Sequence, residues 1–222
     1  IGTPTHDGRV TAHYVDALIN SIQLASKESI NILPLFICYD SILPKARNKI
    51  FKYAIKNKID DLIFIDQDVE FTPQDILKIL SHDELIVGGA LTRKTGIEGY
   101  TFIAKDKKLK YNDSKTLIEV DGIGTGFLKI SKIALDILWD NSAEYITYDD
   151  DNIDQIDDKE RLVFNFEFID GGYYGEDFVM CLKWQSLGYK VWLDPSITLG
   201  HIGMLKYRGH AQTFINNTYI TS

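Results

Sequence analysis

The stretch Leu62-Ile63-Phe64-Ile65-Asp66-Gln67-Asp68-Val69-Glu70-Phe71 joins a short apolar run to two closely spaced aspartates. Four uninterrupted apolar residues, rich in Ile and Phe, predict a strand buried on both faces, as in a parallel sheet. Side chains two positions apart on a strand point the same way, so Asp66 and Asp68 are expected to share one side. They would then lie at the carboxyl edge of the sheet, where open α/β sheets bind ligands.

Two carboxylates at that edge form a hard oxygen site. Such a site suits Mg²⁺ or Mn²⁺, above all when phosphate oxygens of a substrate complete the coordination shell. The alternative interpretation is that the acids only end the strand and cap the next element. Other parts of the sequence are needed to distinguish a metal site from acids that only end the strand.

Length, composition and charge narrow the class of protein. The chain has 222 residues, of which 45% are hydrophobic and 25% are charged, as is ordinary for one soluble globular domain. The net charge of −8 argues against nucleic acid or an anionic membrane as the main partner. No apolar run reaches the roughly 18 residues of a membrane span. Cys38 and Cys181 sit in apolar surroundings and are predicted to be buried free thiols.

The N-terminal segment predicts a strand, a polar turn and a helix. The strand covers residues 1–5, and the helix over residues 10–27 has an apolar stripe of period 3.6. The turn lacks the G-x-G-x-x-G pattern of dinucleotide-binding folds. Asp7 could accept a hydrogen bond from a base and Arg9 could reach a phosphate. The alternative is an ordinary turn formed by Asp7 and Gly8.

Strands and helices alternate through the first 95 residues. Further strands are predicted over residues 32–37, 62–65 and 85–90, and helices over residues 43–57 and 72–80. This order predicts an α/β fold with a mostly parallel central sheet flanked by helices. Short strands at 117–121, 126–130, 162–169, 191–193 and 197–199, with helices after Ser131 and at 178–187, predict a smaller mixed, partly antiparallel part.

Two groups of small residues could admit a ligand. Gly89 ends the fourth strand, and Gly124-Thr125-Gly126 lies between two short strands. Glycines there could place bare backbone against a sugar ring, although a β-bulge or turn would need them equally. The six aspartates within residues 149–158 lack the glycine and terminal Glu of a calcium loop, so we expect a solvated surface loop.

Two later motifs have structural explanations when taken singly. Glu176 and Asp177 start a predicted helix, where the helix dipole favours acids. His201 after the last strands could be an ordinary hydrogen-bonded residue. The two motifs follow the Asp66–Asp68 pair in the chain, and this order of three motifs is more informative than each motif alone.

In that order, the chain resembles the GT-A fold of nucleotide-sugar-dependent glycosyltransferases over roughly residues 1–203. Asp66-Gln67-Asp68 matches the D-x-D motif of the family, and Gly175-Glu176-Asp177 matches its x-E-D motif. His201 matches a late metal-binding histidine, and Thr3-Pro4-Thr5 matches the nucleotide-contacting turn after the first strand. The compact size resembles stand-alone viral or bacterial members.

The resemblance implies a single domain with a nucleotide-binding half (1–95), an acceptor-side half (96–203) and a C-terminal tail (204–222). It implies a nucleoside diphosphate sugar donor, most simply a UDP-sugar, a glycan or other acceptor, and bound Mn²⁺ or Mg²⁺. Because the chain opens on a strand and not on a signal peptide, we expect a cytoplasmic protein, in the host cytoplasm if it is viral.

The resemblance also implies roles for individual residues. Asp177 would be the general base of an inverting transfer. The metal ligands would be Asp68, His201 and Asp66. Donor contacts are expected from Thr3, Pro4, Thr5, Asp7, Arg9, Arg47, Asp66, Gln67, Lys206 and Arg208. Sugar or acceptor contacts are expected from Gly89, Gly124, Thr125, Gly126 and Glu176.

Two alternatives remain at the level of sequence, and a third is disfavoured. A retaining transferase would share the fold, and a non-catalytic nucleotide- or sugar-binding module would share the binding residues. A sugar-nucleotide pyrophosphorylase would need a first turn rich in glycine and arginine, which Thr3-Pro4-Thr5-His6-Asp7 does not supply.

Overall fold

The computed structural model of the chain describes residues 1–95, 99–105, 109–146, 159–203 and 205–220. Within them the chain forms a single mixed α/β domain with a central sheet flanked by helices. The predicted acidic loop at residues 149–158 lies outside the described residues. No helix of this described part is both long and apolar enough to cross a membrane.

The helices are α1 (Ala12–Lys27), α2 (Leu43–Lys56), α3 (Pro73–Leu80), α4 (Lys132–Asp140), α5 (Glu176–Ser186) and α6 (Ala211–Ile215), followed by a π-helical turn (Asn216–Ile220). Their starts follow from local chemistry. The side chains of Thr11, Thr72 and Ser131 cap α1, α3 and α4, and Pro44 lies in the first turn of α2.

The strands are β1 (Gly2–Thr5), β2 (Leu35–Cys38), β3 (Asp61–Ile65), β4 (Val69–Glu70), β5 (Ile86–Gly88), β6 (Phe102–Ile103), β7 (Lys110–Tyr111), β8 (Ile118–Val120), β9 (Gly122–Ile123), β10 (Phe127–Ser131), β11 (Glu144–Tyr145), β12 (Glu160–Arg161), β13 (Glu167–Ile169), β14 (Gly172–Tyr174), β15 (Val191–Leu193), β16 (Gly200–Ile202) and β17 (Lys206–Arg208).

Eight of these strands form the central sheet, in the order β2-β1-β3-β10-β5-β15-β8-β7. β1 pairs in parallel with β2 and β3, and β5 pairs in parallel with β15. The predicted mostly parallel sheet is confirmed, and β10 lies antiparallel between β3 and β5. After the turn at residues 124–126, β10 begins beside the carboxyl end of β3. It therefore runs antiparallel to β3 and β5.

The sheet is buried on both faces at β3, as the apolar run of that strand predicts. Leu62 and Phe64 belong to a core cluster that also contains side chains of α2, α4, α5 and α6. Ile63 and Ile65 belong to a second cluster, on the opposite face, with side chains of α1 and α3. The alternation of the four residues between two cores confirms a strand with period 2.

The edge strand β2 differs from the prediction of a fully buried strand. Its residues alternate between half-buried and exposed, because β2 has a neighbour on one side only. Cys38 is therefore exposed, and its predicted burial is wrong; Cys181 on α5 is buried as predicted.

A small antiparallel sheet, β17-β16-β4, lies beside the end of β3. The backbone N–H of Ile202 donates to the carbonyl of Asp68 at 2.8 Å, so β16 is joined directly to the D-x-D segment. The strand predicted at 197–199 is wrong, since the strand starts at Gly200 and pairs with β4. The strand predicted at 162–169 is wrong over most of its length. Only its last three residues form a strand, β13, which pairs with β14 in a hairpin.

Candidate active site

The D-x-D motif lies in a turn at the carboxyl edge of the central sheet. Asp66 follows β3 directly, and the N–H of Val69 donates to its carbonyl at 3.1 Å. The strand periodicity therefore does not apply to Asp66 and Asp68, and that part of the sequence argument is wrong. The turn nevertheless brings both residues, with Gln67, to the wall of one cavity.

Arg47 joins the D-x-D motif to the E-D motif. Its Nη2 donates to Oδ1 of Asp66 at 3.0 Å, and its Nε donates to Oε1 of Glu176 at 3.3 Å. The guanidinium lies over the ring of Phe64 and is almost fully buried. Asp66 and Glu176 are thus held by one cation, although Glu176 lies 129 residues beyond Arg47 in the chain.

The third nitrogen of this guanidinium, Nη1, is buried and has no hydrogen-bond partner among the described residues. A buried charged donor without a partner costs free energy unless a ligand or water satisfies it. Arg47 was expected to contact phosphate. The structure instead places it between two carboxylates, with this one donor unpaired.

Asp177 lies in the first turn of α5, beside Glu176. Its Oδ1 accepts a hydrogen bond from the N–H of Phe178 at 2.8 Å. Burial raises the pKa of Asp177 to about 6, and the negative charge of Glu176 adds to this effect. A carboxylate with a pKa near neutrality is suited to accept a proton and to release it again.

Asp68 and His201 face each other across the small sheet. Oδ1 of Asp68 lies 3.7 Å from Nε2 of His201, too far for a hydrogen bond. Nδ1 of His201 lies 2.7 Å from the carbonyl oxygen of Thr92, which can only accept a hydrogen bond. Nδ1 therefore carries a proton, and in the neutral imidazole the Nε2 lone pair is the one directed towards the carboxylate.

A lone pair that faces a carboxylate oxygen suits a shared cation. Two ligands at about 2.1 Å from an octahedral ion lie about 3 Å apart, so this pair would need only a small adjustment. Asp68 and His201 are therefore two residues that could hold Mn²⁺ or Mg²⁺. The described residues contain no group of three or more His, Cys, Asp or Glu side chains that could hold an ion by themselves.

Lys94 was not predicted as a site residue. Its ammonium forms an ion pair with Oδ2 of Asp68, whereas His201 approaches Oδ1. The ion pair places a protein cation at the D-x-D turn. The only sequence signal was its position just beyond the end of β5, among the small residues noted there.

A cavity of about 220 Å³ opens beside the D-x-D turn. Its walls include Pro4, His6, Asp40, Ser41, Leu43, Asp66, Gln67 and Asp68. Sequence reasoning identified Pro4 and the D-x-D residues, but missed Asp40. The signal for Asp40 was available, because it follows β2 at the same edge of the sheet as Asp66.

The other residues of the first strand and turn have structural partners. Oγ1 of Thr3 lies 2.5 Å from the hydroxyl of Tyr14, and Thr5 is buried with no hydrogen-bond partner for its Oγ1 among the described residues. Asp7 accepts from the N–H of Arg9 at 3.1 Å, as a turn-forming residue does, while Arg9 is exposed. The cavity walls therefore include only Pro4 of the predicted Thr3-Pro4-Thr5 turn.

Lys206 and Arg208 lie on the far strand of the small sheet. Lys206 contacts one oxygen of Glu70 at 2.7 Å, and Arg208 contacts the other at 3.0 Å. Glu70 and His201 occupy different register positions, with His201 opposite Val69 and Tyr207. Both cations were expected to contact the donor, and the structure pairs them with Glu70.

The glycines predicted to admit a sugar have different surroundings. A Cβ on Gly89 would meet side chains of the core, and a Cβ on Gly124 would meet Thr101. A Cβ on Gly126 would press on Leu91 and lie 3.1 Å from Oδ2 of Asp66. Gly126 also accepts from the N–H of Asp66 at 3.1 Å, so it alone of these glycines supports the D-x-D turn. Thr125 is buried.

Comparison with solved structures supports the fold. The chain is similar to A197 from STIV, with 18% identity, a TM-score of 0.52, and coverage of 91% of this chain and 84% of that one. It is also similar to a glycosyltransferase involved in the glycosylation of the major capsid of PBCV-1 (15% identity, TM-score 0.35, 61% of each chain). A third is HddC from Yersinia pseudotuberculosis (14%, TM-score 0.32, 61% of this chain and 78% of that one).

The similarity to A197 extends over most of both chains and shows a shared fold. The two weaker similarities carry no further conclusion. No family model and no curated protein matches the sequence.

Proposed function

We propose that this protein is a metal-dependent glycosyltransferase. It moves a sugar from a nucleoside diphosphate sugar, with UDP as the expected nucleotide, to a hydroxyl group of a glycan or other acceptor. The observation that carries the proposal is the contact of Arg47 with both Asp66 and Glu176. It holds the residues expected to bind the donor next to a carboxylate suited to act as a base.

The nucleoside is assigned to the cavity beside the D-x-D turn. The carboxylate of Asp40 can accept a hydrogen bond from a base N–H, and Pro4 and Leu43 supply apolar wall. Tyr39, at the end of β2, is 80% exposed and lies across Gly8, where its ring is available to stack on a base. The sugar diphosphate then extends from this cavity towards Asp68.

The charge of the diphosphate needs a cation. Asp68 and His201 are the residues that would hold Mn²⁺ or Mg²⁺, and the bound ion would stabilise the negative charge that grows on the leaving diphosphate. Lys94 exchanges its ion pair with Asp68 for one with a phosphate when the donor binds. Arg47 keeps Asp66 oriented towards the hydroxyls of the donor.

Asp177 is the general base. Its carboxylate accepts the proton of the acceptor hydroxyl while that oxygen forms a bond to the anomeric carbon. The bond from the anomeric carbon to the diphosphate oxygen breaks, and the nucleoside diphosphate leaves with the electron pair. Attack opposite the leaving group inverts the configuration, and NMR of the product separates this outcome from retention.

A thermal-shift panel tests the donor site. Nucleoside diphosphates and their sugars are each added with Mn²⁺, Mg²⁺ or EDTA, because a ligand that binds only the native state raises the melting temperature. We expect a shift with UDP or a UDP-sugar that requires the metal and is lost in Asp68→Ala. Asp136→Ala, an exposed aspartate on α4, is the matched control and should respond like the wild type.

Two outcomes contradict the proposal. No shift with any nucleotide would exclude the donor site. A shift that is equally large in EDTA would favour a metal-independent binding module in which Lys94 supplies the positive charge, an alternative that its contact with Asp68 supports.

A further inference from the structure

The segment just before Asp177 forms a tight two-stranded hairpin. β13 pairs with β14, with Phe168 opposite Tyr173 and Glu167 opposite Tyr174. The two turn residues, Asp170 and Gly171, have φ values of 50° and 80°. Two consecutive residues with positive φ define the type I′ turn, which matches the twist of the flanking strands and fixes their register.

One face of this hairpin is aromatic and exposed. Phe166, Phe168 and Tyr173 have exposed fractions of 45%, 80% and 60%. The ring centroid of Tyr173 lies 5.7 Å from that of Phe166, in a stacked arrangement, and 5.0 Å from that of Phe168. Cross-strand aromatic pairs stabilise a hairpin, but that stabilisation does not require three rings on the solvent side.

The aromatic face is close to the proposed base. Tyr173 precedes Asp177 by four residues, so their Cα atoms are at most about 14 Å apart. Gly175, between them, is the N-cap of α5 and has no side chain to separate the hairpin from the carboxylate. A molecule that stacks on the rings therefore needs to span no more than about 14 Å to reach Asp177.

The residues around the three rings indicate which class of ligand could bind to them. Polar side chains alternate with the rings along the chain, and Nδ2 of Asn165 donates to Oε1 of Glu167 at 2.7 Å. A pyranose ring has the same division, with a face of C–H groups and a rim of hydroxyls. The carboxylates of Glu167 and Asp170 and the net charge of −8 disfavour an anionic lipid surface.

We propose that Phe166, Phe168 and Tyr173 form an acceptor platform, on which the apolar face of a glycan stacks so that a hydroxyl of an adjoining sugar reaches Asp177. The term acceptor rests on the proposed function, whereas saccharide binding by the hairpin does not. The platform selects a neutral oligosaccharide of at least two sugar units.

Saturation-transfer NMR with defined disaccharides tests the platform. Cellobiose, lactose, α-1,2-mannobiose and N,N′-diacetylchitobiose are added singly to the whole protein. We expect at least one to receive saturation through its C–H face, and its Kd to rise roughly three- to tenfold in Phe168→Ala or Tyr173→Ala. The double variant should show a larger loss, with the melting temperature of each variant recorded to confirm folding.

Tyr111→Ala is the matched control, since Tyr111 is a 40% exposed aromatic residue on β7 at the far edge of the central sheet. It should bind the disaccharide as the wild type does. The proposal is overturned if no disaccharide binds, or if Phe168→Ala and Tyr111→Ala bind equally. It is also overturned if Phe168→Ala instead abolishes flotation with phosphatidylcholine–phosphatidylglycerol vesicles, or converts a dimer to a monomer.

The two proposals can fail separately. A metal-dependent shift with UDP, combined with unchanged disaccharide binding in Phe168→Ala, would keep the transferase and remove the platform. Disaccharide binding that depends on Phe168, without a shift for any nucleotide, would keep the saccharide site and remove the transferase.

Discussion

At the scale of a single residue, the proposed general base is Asp177. Asp177→Asn keeps the shape of the side chain but cannot accept the proton, so we expect transfer to fall by roughly 10²- to 10⁴-fold. Binding of UDP with Mn²⁺ should stay near that of the wild type, because the cavity walls are unchanged. Steady-state rates and thermal shifts measure the two quantities, with Asp136→Asn as control. A variant that keeps more than a tenth of the wild-type rate would show that another group is the base.

The raised pKa of Asp177 predicts a pH-dependent rate. The base acts only when it is deprotonated, so kcat/KM should rise with pH through about 6 and then level off. A rate that is flat between pH 5 and pH 8, measured with saturating metal at each pH, would contradict the assignment.

The same pKa predicts how stability changes with pH. Between the ordinary pKa of 3.8 and the folded-state value of about 6, the folded protein holds a proton that the unfolded chain has released. The free energy of unfolding should therefore fall as pH rises through this window, by up to about 3 kcal/mol from this group. Urea unfolding at pH 4.5 and pH 7 measures the change, and Asp177→Asn should lack this contribution.

The hairpin β13–β14 allows a prediction at the scale of an element. Gly171→Ala places a Cβ in open space but at φ +80°, so its cost is conformational, on the order of 1 kcal/mol. Gly188→Ala, at φ +90° beyond the end of α5, has equally open surroundings and is the control. We expect similar losses of melting temperature but weaker disaccharide binding only for Gly171→Ala. Equal binding by both variants would mean that hairpin geometry does not matter for the ligand.

Local signals in the sequence predicted the elements better than their assembly. The apolar run of β3, the starts of α3 and α4 and the end of α2 to within one residue depend on neighbouring residues, and all were predicted. The type I′ turn was also available locally, as Asp170-Gly171, but the longer strand predicted over 162–169 concealed it. The strand predicted at 197–199 was misplaced because its position depends on pairing with β4, a partner far away in the chain.

The assembled site depends on contacts that no local pattern contains. The sequence predicted that the D-x-D and E-D motifs lie at one edge of the sheet. It did not predict that the guanidinium of Arg47 lies between them. Arg47 reaches Glu176 across 129 residues, and Lys206 reaches Glu70 across 136. Each of these cations has many possible acidic partners in the sequence. Which partner it contacts is determined by how the strands and helices are placed in the fold.

At the scale of the whole molecule, we expect the metal to contribute to ligand binding but not to the stability of the fold. Asp68 and His201 form a pair, and the described residues hold no cluster of three or more that could bind an ion alone. EDTA should therefore leave the melting temperature of the free protein unchanged while it removes the shift caused by UDP. A melting temperature that falls in EDTA without nucleotide would indicate a structural ion instead.

The buried guanidinium of Arg47 has a consequence for kinetic order. Because Asp66 and Glu176 share one cation, a donor that binds at Asp66 is expected to change how Arg47 holds Glu176 on the proposed acceptor side. Binding should then be sequential, with the nucleotide sugar first and the nucleoside diphosphate released last. Product inhibition by UDP would be competitive against the donor and mixed against the acceptor.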